Sequence, residues 1–209
     1  MTAEELLLRQ AVVSGFAVIY WASVLVQGHR IRKRIGRSPN LKPRDARERL
    51  LWAGWLLVVF LWIVQPMLVS TKNTAIMLQM TRDSFLPLSL VGGIGLTVAG
   101  YAATIWCYVI MGNAWRIGIN RQEKNQLVTA GPYRWIRHPI YAFQTMMLFG
   151  AVLLLPAIGL GLVVVFHLIL VLIKSRDEEA YLLSVHGDAY RDFMARTGRL
   201  LPKIFRKLS

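Results

Sequence analysis

Two groups of residues in this sequence have the types and spacing to do chemistry. The first is the stretch GPYRWIRHPIY, Gly131 to Tyr141, where Arg134, Arg137, His138 and Tyr141 sit directly before a long apolar run. The second is Lys174, Arg176, Asp177, Glu178 and Glu179, directly after that run. One group brings hydrogen-bond donors and an imidazole that titrates near neutral pH. The other brings carboxylates. At the two ends of one hairpin, the carboxylates would come within reach of the donors. Charged side chains at the edge of an apolar run are costly unless paired or wetted, so they mark candidate sites. Taken singly, each group reads equally well as arginines and lysines snorkelling to the interface beside solvated glutamates. Placed at both ends of one hairpin, the two groups return to the same face and read as one site.

Other chemistries find little support. The four histidines, His29, His138, His167 and His186, lack the short spacing of a metal pair, so no metal is expected. His167 falls inside an apolar run and reads as a packed helix contact. The glycine-rich VGGIGLTVAG has neither a preceding strand nor a lysine for a phosphate loop. Its glycines instead allow close helix packing in lipid. No Ser, His and Asp combine into a hydrolytic set. The single cysteine, Cys107, excludes an intramolecular disulfide and reads as a small core residue.

The elements that must position these groups are apolar helices. The chain has 209 residues, 55% of them hydrophobic, and a mean hydropathy of +0.44, too apolar for a soluble domain. The apolar residues fall in the runs Ala11–Gln27, Leu50–Ser70, Phe85–Gly112 and Ile140–Ile173. A bilayer core takes about 20 helical residues, so the last run is two helices turning near Pro156. The expected fold is all-α, a polytopic membrane protein with about five transmembrane helices. It divides into three N-terminal spans over 1–110 and a C-terminal region over 111–209. After Ile173 a polar helix with an apolar stripe, Tyr181, Leu182, Val185, Tyr190 and Phe193, runs out of the last span. Gly187 interrupts it and Pro202 closes it. MTAEELLLRQ, with two acids before its arginine, does not read as a cleaved signal.

The net charge of +14 is not spread evenly. All lysines and arginines except Arg9, Lys72 and Arg82 lie in His29–Arg49, Gly112–Pro139 and Lys174–Ser209. Five spans put those three segments on one side, which the positive-inside rule makes cytoplasmic, with the N-terminus outside. The basic excess therefore reads as topology and attraction to anionic lipid rather than nucleic-acid binding. The short loops point to a prokaryotic inner membrane.

The motifs LVTAGPYRWIRHPIY, EEAYLLSVHGDAYRDF and LLP, in that order around a hydrophobic hairpin, resemble the isoprenylcysteine carboxyl methyltransferases and the related phospholipid methyltransferases. The resemblance covers roughly Met111 to Pro202, with His186 where the family often has Phe. It implies a membrane methyltransferase that uses S-adenosyl-L-methionine and a lipophilic acceptor arriving through the bilayer. Carried onto matching positions, it implies that Gln126, Leu127, Val128, Gly131, Tyr133, His138, Pro139, Tyr141 and Glu178 bind the cofactor. Arg137 and Lys174 would bind the acceptor, and Arg137, Arg176 and Glu179 would serve catalysis. A carboxylate acceptor would need an arginine to place it, whereas an amine or thiol would need a base, for which Glu179 is the candidate. The alternatives are a phospholipid amine or small thiol as acceptor, a membrane reductase of the steroid-reductase type, and a non-catalytic lipid-binding protein.

Overall fold

A computed structural model describes residues 2–36, 39, 43, 45–70, 85–116 and 127–203. The described residues form six α-helices joined by short 3-10 turns, with no strand among them. Helix α1 spans Ala3–Ile35, α2 Ala46–Val64, α3 Phe85–Met111, α4 Pro139–Leu154, α5 Ile158–His186 and α6 Asp188–Arg196. The starts of α1 and α2 are capped by side chains. Thr2 accepts from the Glu5 amide at 3.1 Å and Asp45 from the Glu48 amide at 2.7 Å. Gly36, at φ 71°, ends α1 in the left-handed conformation that glycine tolerates best.

The protein is an all-α polytopic membrane protein. Four helices, within Ala3–Ile35, Ala46–Leu68, Pro87–Ala114 and Ile158–His186, are long and apolar enough to cross a membrane. Large apolar side chains such as Leu25, Leu56, Val91, Val109 and Leu162 face outward, as lipid contact requires and water would not tolerate over so wide a surface. The expected fourth span, α4, is apolar but has only 16 residues, a rise of about 24 Å. Its ends are bracketed by prolines. Pro139 sits at its first turn, where a missing amide is harmless, and Pro156 lies in the break before α5. The turn expected near Pro156 is where the chain reverses.

The contacts sort the helix ends into two sets. At one end Arg9, on α1, donates to the Leu154 carbonyl at 2.9 Å and to the Ser89 hydroxyl at 3.0 Å. Arg9 is buried, and Glu5 pairs with it at 2.9 Å. Beside it Gln10 donates to the Pro66 and Val69 carbonyls, both at 2.8 Å. The end of α4 thus meets the starts of α1 and α3. At the other end Arg47, at the start of α2, pairs with Asp177 on the polar end of α5 at 3.0 Å. The basic last turn of α1, Arg32, Lys33 and Arg34, ends the helix opposite Arg9.

Helices α3 and α4 pack along glycines. A Cβ at Gly150 would lie 2.5 Å from Thr97 Oγ1 and 2.8 Å from the Gly93 carbonyl, and one at Gly100 would lie 2.8 Å from the Phe143 carbonyl. The close packing expected of VGGIGLTVAG is found at Gly93 and Gly100 and not at Gly95, and it joins the two halves of the chain across residue 110. Gly187, at φ 54°, turns α5 into α6 as expected. Helix α6 stops at Arg196 rather than at Pro202, because Thr197 and Gly198 leave the helix to reach back to the segment before α4.

Candidate functional site

The site starts from a glycine. Gly131, at φ 56°, opens a 3-10 turn over Gly131–Arg134. A Cβ there would lie 2.8 Å from Ile110 Cγ1, so a side chain would be strained in conformation and would have to displace Ile110, and the loop docks on the end of α3. The turn buries Pro132 and Tyr133. Burial pushes the Tyr133 hydroxyl well above its usual pKa. Trp135 turns outward with Arg134 over its ring at 5.9 Å, so it lines no pocket here.

The segment 135–138 is then pinned by the C-terminal chain. Gly198 donates to the Trp135 carbonyl at 3.0 Å, and the Arg137 and His138 amides donate to the Gly198 and Arg199 carbonyls at 2.8 and 3.0 Å. Ile136 and Gly198 form an isolated parallel bridge. A Cβ on Gly198 would sit 1.7 Å from the Leu201 carbonyl oxygen, so only glycine fits. Residue 138, being before a proline, is held out of the helical region, and α4 begins at Pro139.

Two linked polar clusters result. In the first, Arg137 Nε donates to Glu179 Oε1 at 2.7 Å, and its Nη1 to the Met194 carbonyl at 3.3 Å and to the Thr197 carbonyl. Arg199 Nε also bonds both Glu179 oxygens, each at 3.1 Å. In the second, Tyr141 donates its hydroxyl proton to Glu178 Oε1 at 2.8 Å, and His138 Nδ1 lies 3.3 Å from Glu178 Oε2. The imidazole stacks on the Tyr141 ring at 5.8 Å, and Tyr141 stacks on Trp55 of α2 at 5.8 Å. His138 joins the clusters, since its Nε2 lies 3.4 Å from Glu179 Oε1. That contact lacks hydrogen-bond alignment, and the buried Nε2 has no hydrogen-bond partner among the described residues. Burial by itself pushes the His138 pKa down, but its contacts with Glu178 and Glu179 outweigh burial and leave it above the usual 6.5.

The structure therefore brings together Tyr133, Arg137, His138, Tyr141, Glu178 and Glu179, on a backbone set by Gly131 and Pro139. Leu127 and Val128 lead into the turn outside any helix, half-buried. Gln126 lies outside the described residues. Lys174 is near enough for its charge to act on Glu178, whereas Arg176 is exposed. Arg137, expected at the acceptor and in catalysis, and Glu179, expected in catalysis, bond each other, Arg199 and backbone carbonyls through Arg137 Nε and Nη1 and both Glu179 oxygens. Sequence reasoning missed Gly198 and Arg199. A signal was present in the TGRLLP that follows the last helix, where a lone Gly-Arg comes within reach of a buried carboxylate pair.

Such an arrangement can hold a zwitterion. A protonated imidazole presents an N–H to an anion. Glu178 keeps lone pairs beyond those used by Tyr141 and His138 and is partly exposed. The rings of Tyr133 and Tyr141 supply flat apolar surface. Among the described residues no three of His, Cys, Asp and Glu are grouped to hold a metal ion.

The Nickel-cobalt-cadmium resistance protein NccN of Alcaligenes xylosoxydans xylosoxydans is 26% identical over 117 residues, covering 56% of this chain. The match takes in 51% of that protein, so the chain spans about half the length of this relative. Residues 93–184 match the isoprenylcysteine carboxyl methyltransferase (ICMT) family. This stretch begins within α3, earlier than the motifs alone suggest, and ends in α5 just before Gly187. It contains the glycine-packed α3–α4 pair and every clustered polar residue except Arg199. Over residues 93–184, somewhat under half of its length, the chain is similar to the isoprenylcysteine carboxyl methyltransferase family.

Proposed function

We propose that the protein is an integral membrane methyltransferase that takes its methyl group from S-adenosyl-L-methionine and passes it to a lipophilic acceptor drawn from the bilayer. The observation that carries this reading is the buried His138, which has Glu178 against one ring nitrogen and, at the other, Glu179 at 3.4 Å without a hydrogen bond, at the mouth of an apolar helical bundle. An orphaned buried donor is costly, and a ligand anion would satisfy it. Glu178 would face the ligand's ammonium or sulfonium, and Tyr133 and Tyr141 would flank its base. Bound there, the cofactor supplies an electrophilic methyl group on a positively charged sulfur.

The chain's own residues then have distinct tasks. His138, Tyr141 and Glu178 bind. Arg137, Glu179 and Arg199 are positioning residues, because they lock the C-terminal segment onto 135–138 and so set where His138 points. Gly131 and the end of α3 hold the loop that closes over the site. The bundle keeps water from the reacting groups, and holding two reactants at contact distance is most of what a direct displacement requires. With the basic helix ends on one face, that face is cytoplasmic, the N-terminus is outside, and the basic segments rest on anionic lipid.

The test is binding of S-adenosylhomocysteine to the purified protein in nanodiscs, followed by methyl transfer from labelled S-adenosylmethionine to lipid extracts. Tyr141→Phe removes one hydrogen bond to a charged group, worth about 1.5–3 kcal/mol, and should weaken binding about tenfold or more. Glu178→Gln should weaken it further. Wild-type protein that binds no S-adenosylhomocysteine would end this reading. A metal-resistance role, suggested by the name of the relative, finds no group of metal-ligating side chains among the described residues.

A further inference from the structure

A groove of about 340 Å³ opens between α2 and α5. Leu57, Leu61 and Gln65 recur along one face of α2 and make one wall. Leu162, Val163 and Phe166 of α5 make the other. The mouth is at the end of the bundle that holds Arg9, since Gln10 bonds the carbonyl of Pro66, the neighbour of Gln65. From that mouth to Leu57 the groove runs about 12 Å along the helix axis. It then ends blind. A Cβ on Gly54 would lie 2.9 Å from Leu170 Cδ2 and 3.5 Å from Phe166 Cζ, so the two helices close on each other there. The groove therefore does not lead to the candidate cofactor site at the opposite end.

Its surroundings decide what fills it. Both helices are long and apolar enough to cross a membrane. The lining residues Leu57 and Leu162 are exposed, as are Leu56, Phe60 and Val165 beside them, so the groove is continuous with the lipid-facing surface. Water gains nothing from an apolar slot at this depth, and an empty slot forfeits contacts on both walls. An acyl chain restores them.

Gln65 is the one polar side chain among the lining residues. Gly159 faces it. A Cβ there would lie 2.3 Å from Gln65 Nε2 and 2.9 Å from its Cδ, so the absent side chain is what lets the amide lie in the mouth. Gln65 Oε1 has no hydrogen-bond partner among the described residues. The residue as a whole is half-buried, within reach of a group in the mouth. An acceptor left open beside hydrocarbon is costly and calls for a donor. Its depth suggests which one. Gln65 caps α2, about 15 Å along the axis from Trp55 at the middle of that helix. That is half the thickness of a hydrocarbon core of about 30 Å, the level at which head groups begin.

We infer that the α2–α5 groove binds one phospholipid of the leaflet at the Arg9 end, with an acyl chain along the groove and an ethanolamine head group donating an N–H to Gln65. Such a lipid would tie α2, from the N-terminal half of the chain, to α5 from the C-terminal half. The site is separate from the polar clusters and stands whether or not the protein transfers methyl groups.

The experiment is native mass spectrometry of the purified protein in detergent, titrated with dioleoyl-phosphatidylethanolamine or dioleoyl-phosphatidylcholine. The two lipids share chains, glycerol and phosphate, and only the first has N–H donors. The first bound lipid should be held about tenfold or more tighter as the ethanolamine form, the worth of one hydrogen bond from a charged donor. Gln65→Leu should bring both lipids to the weaker affinity. Leu162→Trp should fill the groove and weaken both further. If Leu162→Trp does not fold, Leu57→Trp fills the groove from the opposite wall. Equal affinity for the two lipids in the wild type, a preference kept in Gln65→Leu, or binding untouched by the groove-filling variants would overturn the assignment.

Discussion

Arg137 and Glu179 meet at 2.7 Å, between the segment before α4 and the polar end of α5, and both side chains are less than a tenth exposed. Two charges taken this far out of water stand only because each has several partners. Arg137 has two backbone carbonyls besides the carboxylate, and Glu179 has Arg199 besides Arg137. Breaking such a pair from one side leaves an uncompensated buried charge, which costs about 3–5 kcal/mol. Glu179→Gln should therefore lower the unfolding midpoint strongly, and Arg137→Lys should lower it too, because an ammonium cannot copy the fork. In both variants the C-terminal segment should be cut by protease sooner than in the wild type. An Arg137→Lys protein with wild-type stability and slowed turnover would instead return Arg137 to the acceptor.

His138 gives the stability a pH dependence with a definite sign. Its native pKa lies above the usual 6.5. A group raised in the folded state stabilises fully below its unfolded pKa, and loses that contribution as pH climbs through the native value. The difference in unfolding midpoint between wild type and His138→Gln should thus be largest below about pH 6.5 and shrink above it. Thermal unfolding of both proteins at a series of pH values measures it. A difference that grows with pH would mean that His138 is neutral in the fold.

Gly198→Ala should damage the site without touching a ligand. The added carbon would meet the Leu201 carbonyl oxygen at 1.7 Å, so backbone must move. Overpacking of this kind costs about 1–3 kcal/mol, occasionally more. The three backbone hydrogen bonds to 135–138 would loosen with it, and His138 would lose its fixed direction. S-adenosylhomocysteine affinity should fall about tenfold or more. The control is Gly161→Ala, where a Cβ meets nothing within 4 Å, and affinity should hold.

The site was legible where topology alone decides proximity. Pro156 reverses the chain, so His138 and Glu178, at opposite ends of the hairpin, had to come together. Glycines in α3 were legible as close packing because lipid leaves few other uses for them. Arg199 was not, since its meeting with Glu179 depends on the turn at Gly187, the length of α6 and the exit at Thr197 acting in sequence. Arg137 was half legible. Its place beside the site follows from its neighbour His138, but the direction of a long guanidinium is set by what surrounds it. Arg9 read as one basic residue before a span, because nothing near it in sequence announces the carbonyl that it caps.

That last contact bears on how the protein is made. Glu5, four residues from Arg9, leaves the ribosome with it, whereas Ser89 follows 80 residues later and Leu154 follows 145 residues later. At a synthesis rate of about 5–20 residues per second, Arg9 waits roughly 7–30 s for the Leu154 carbonyl. During that interval its charge must stay near the aqueous boundary, so the first helix cannot settle to its final depth. The end of α4 completes the binding place for Arg9, and α1 locks only once the second half of the chain has entered the bilayer. The order of insertion is thereby written into one arginine: a truncated chain that stops before Leu154 should leave α1 loosely seated and open to the membrane's quality-control proteases.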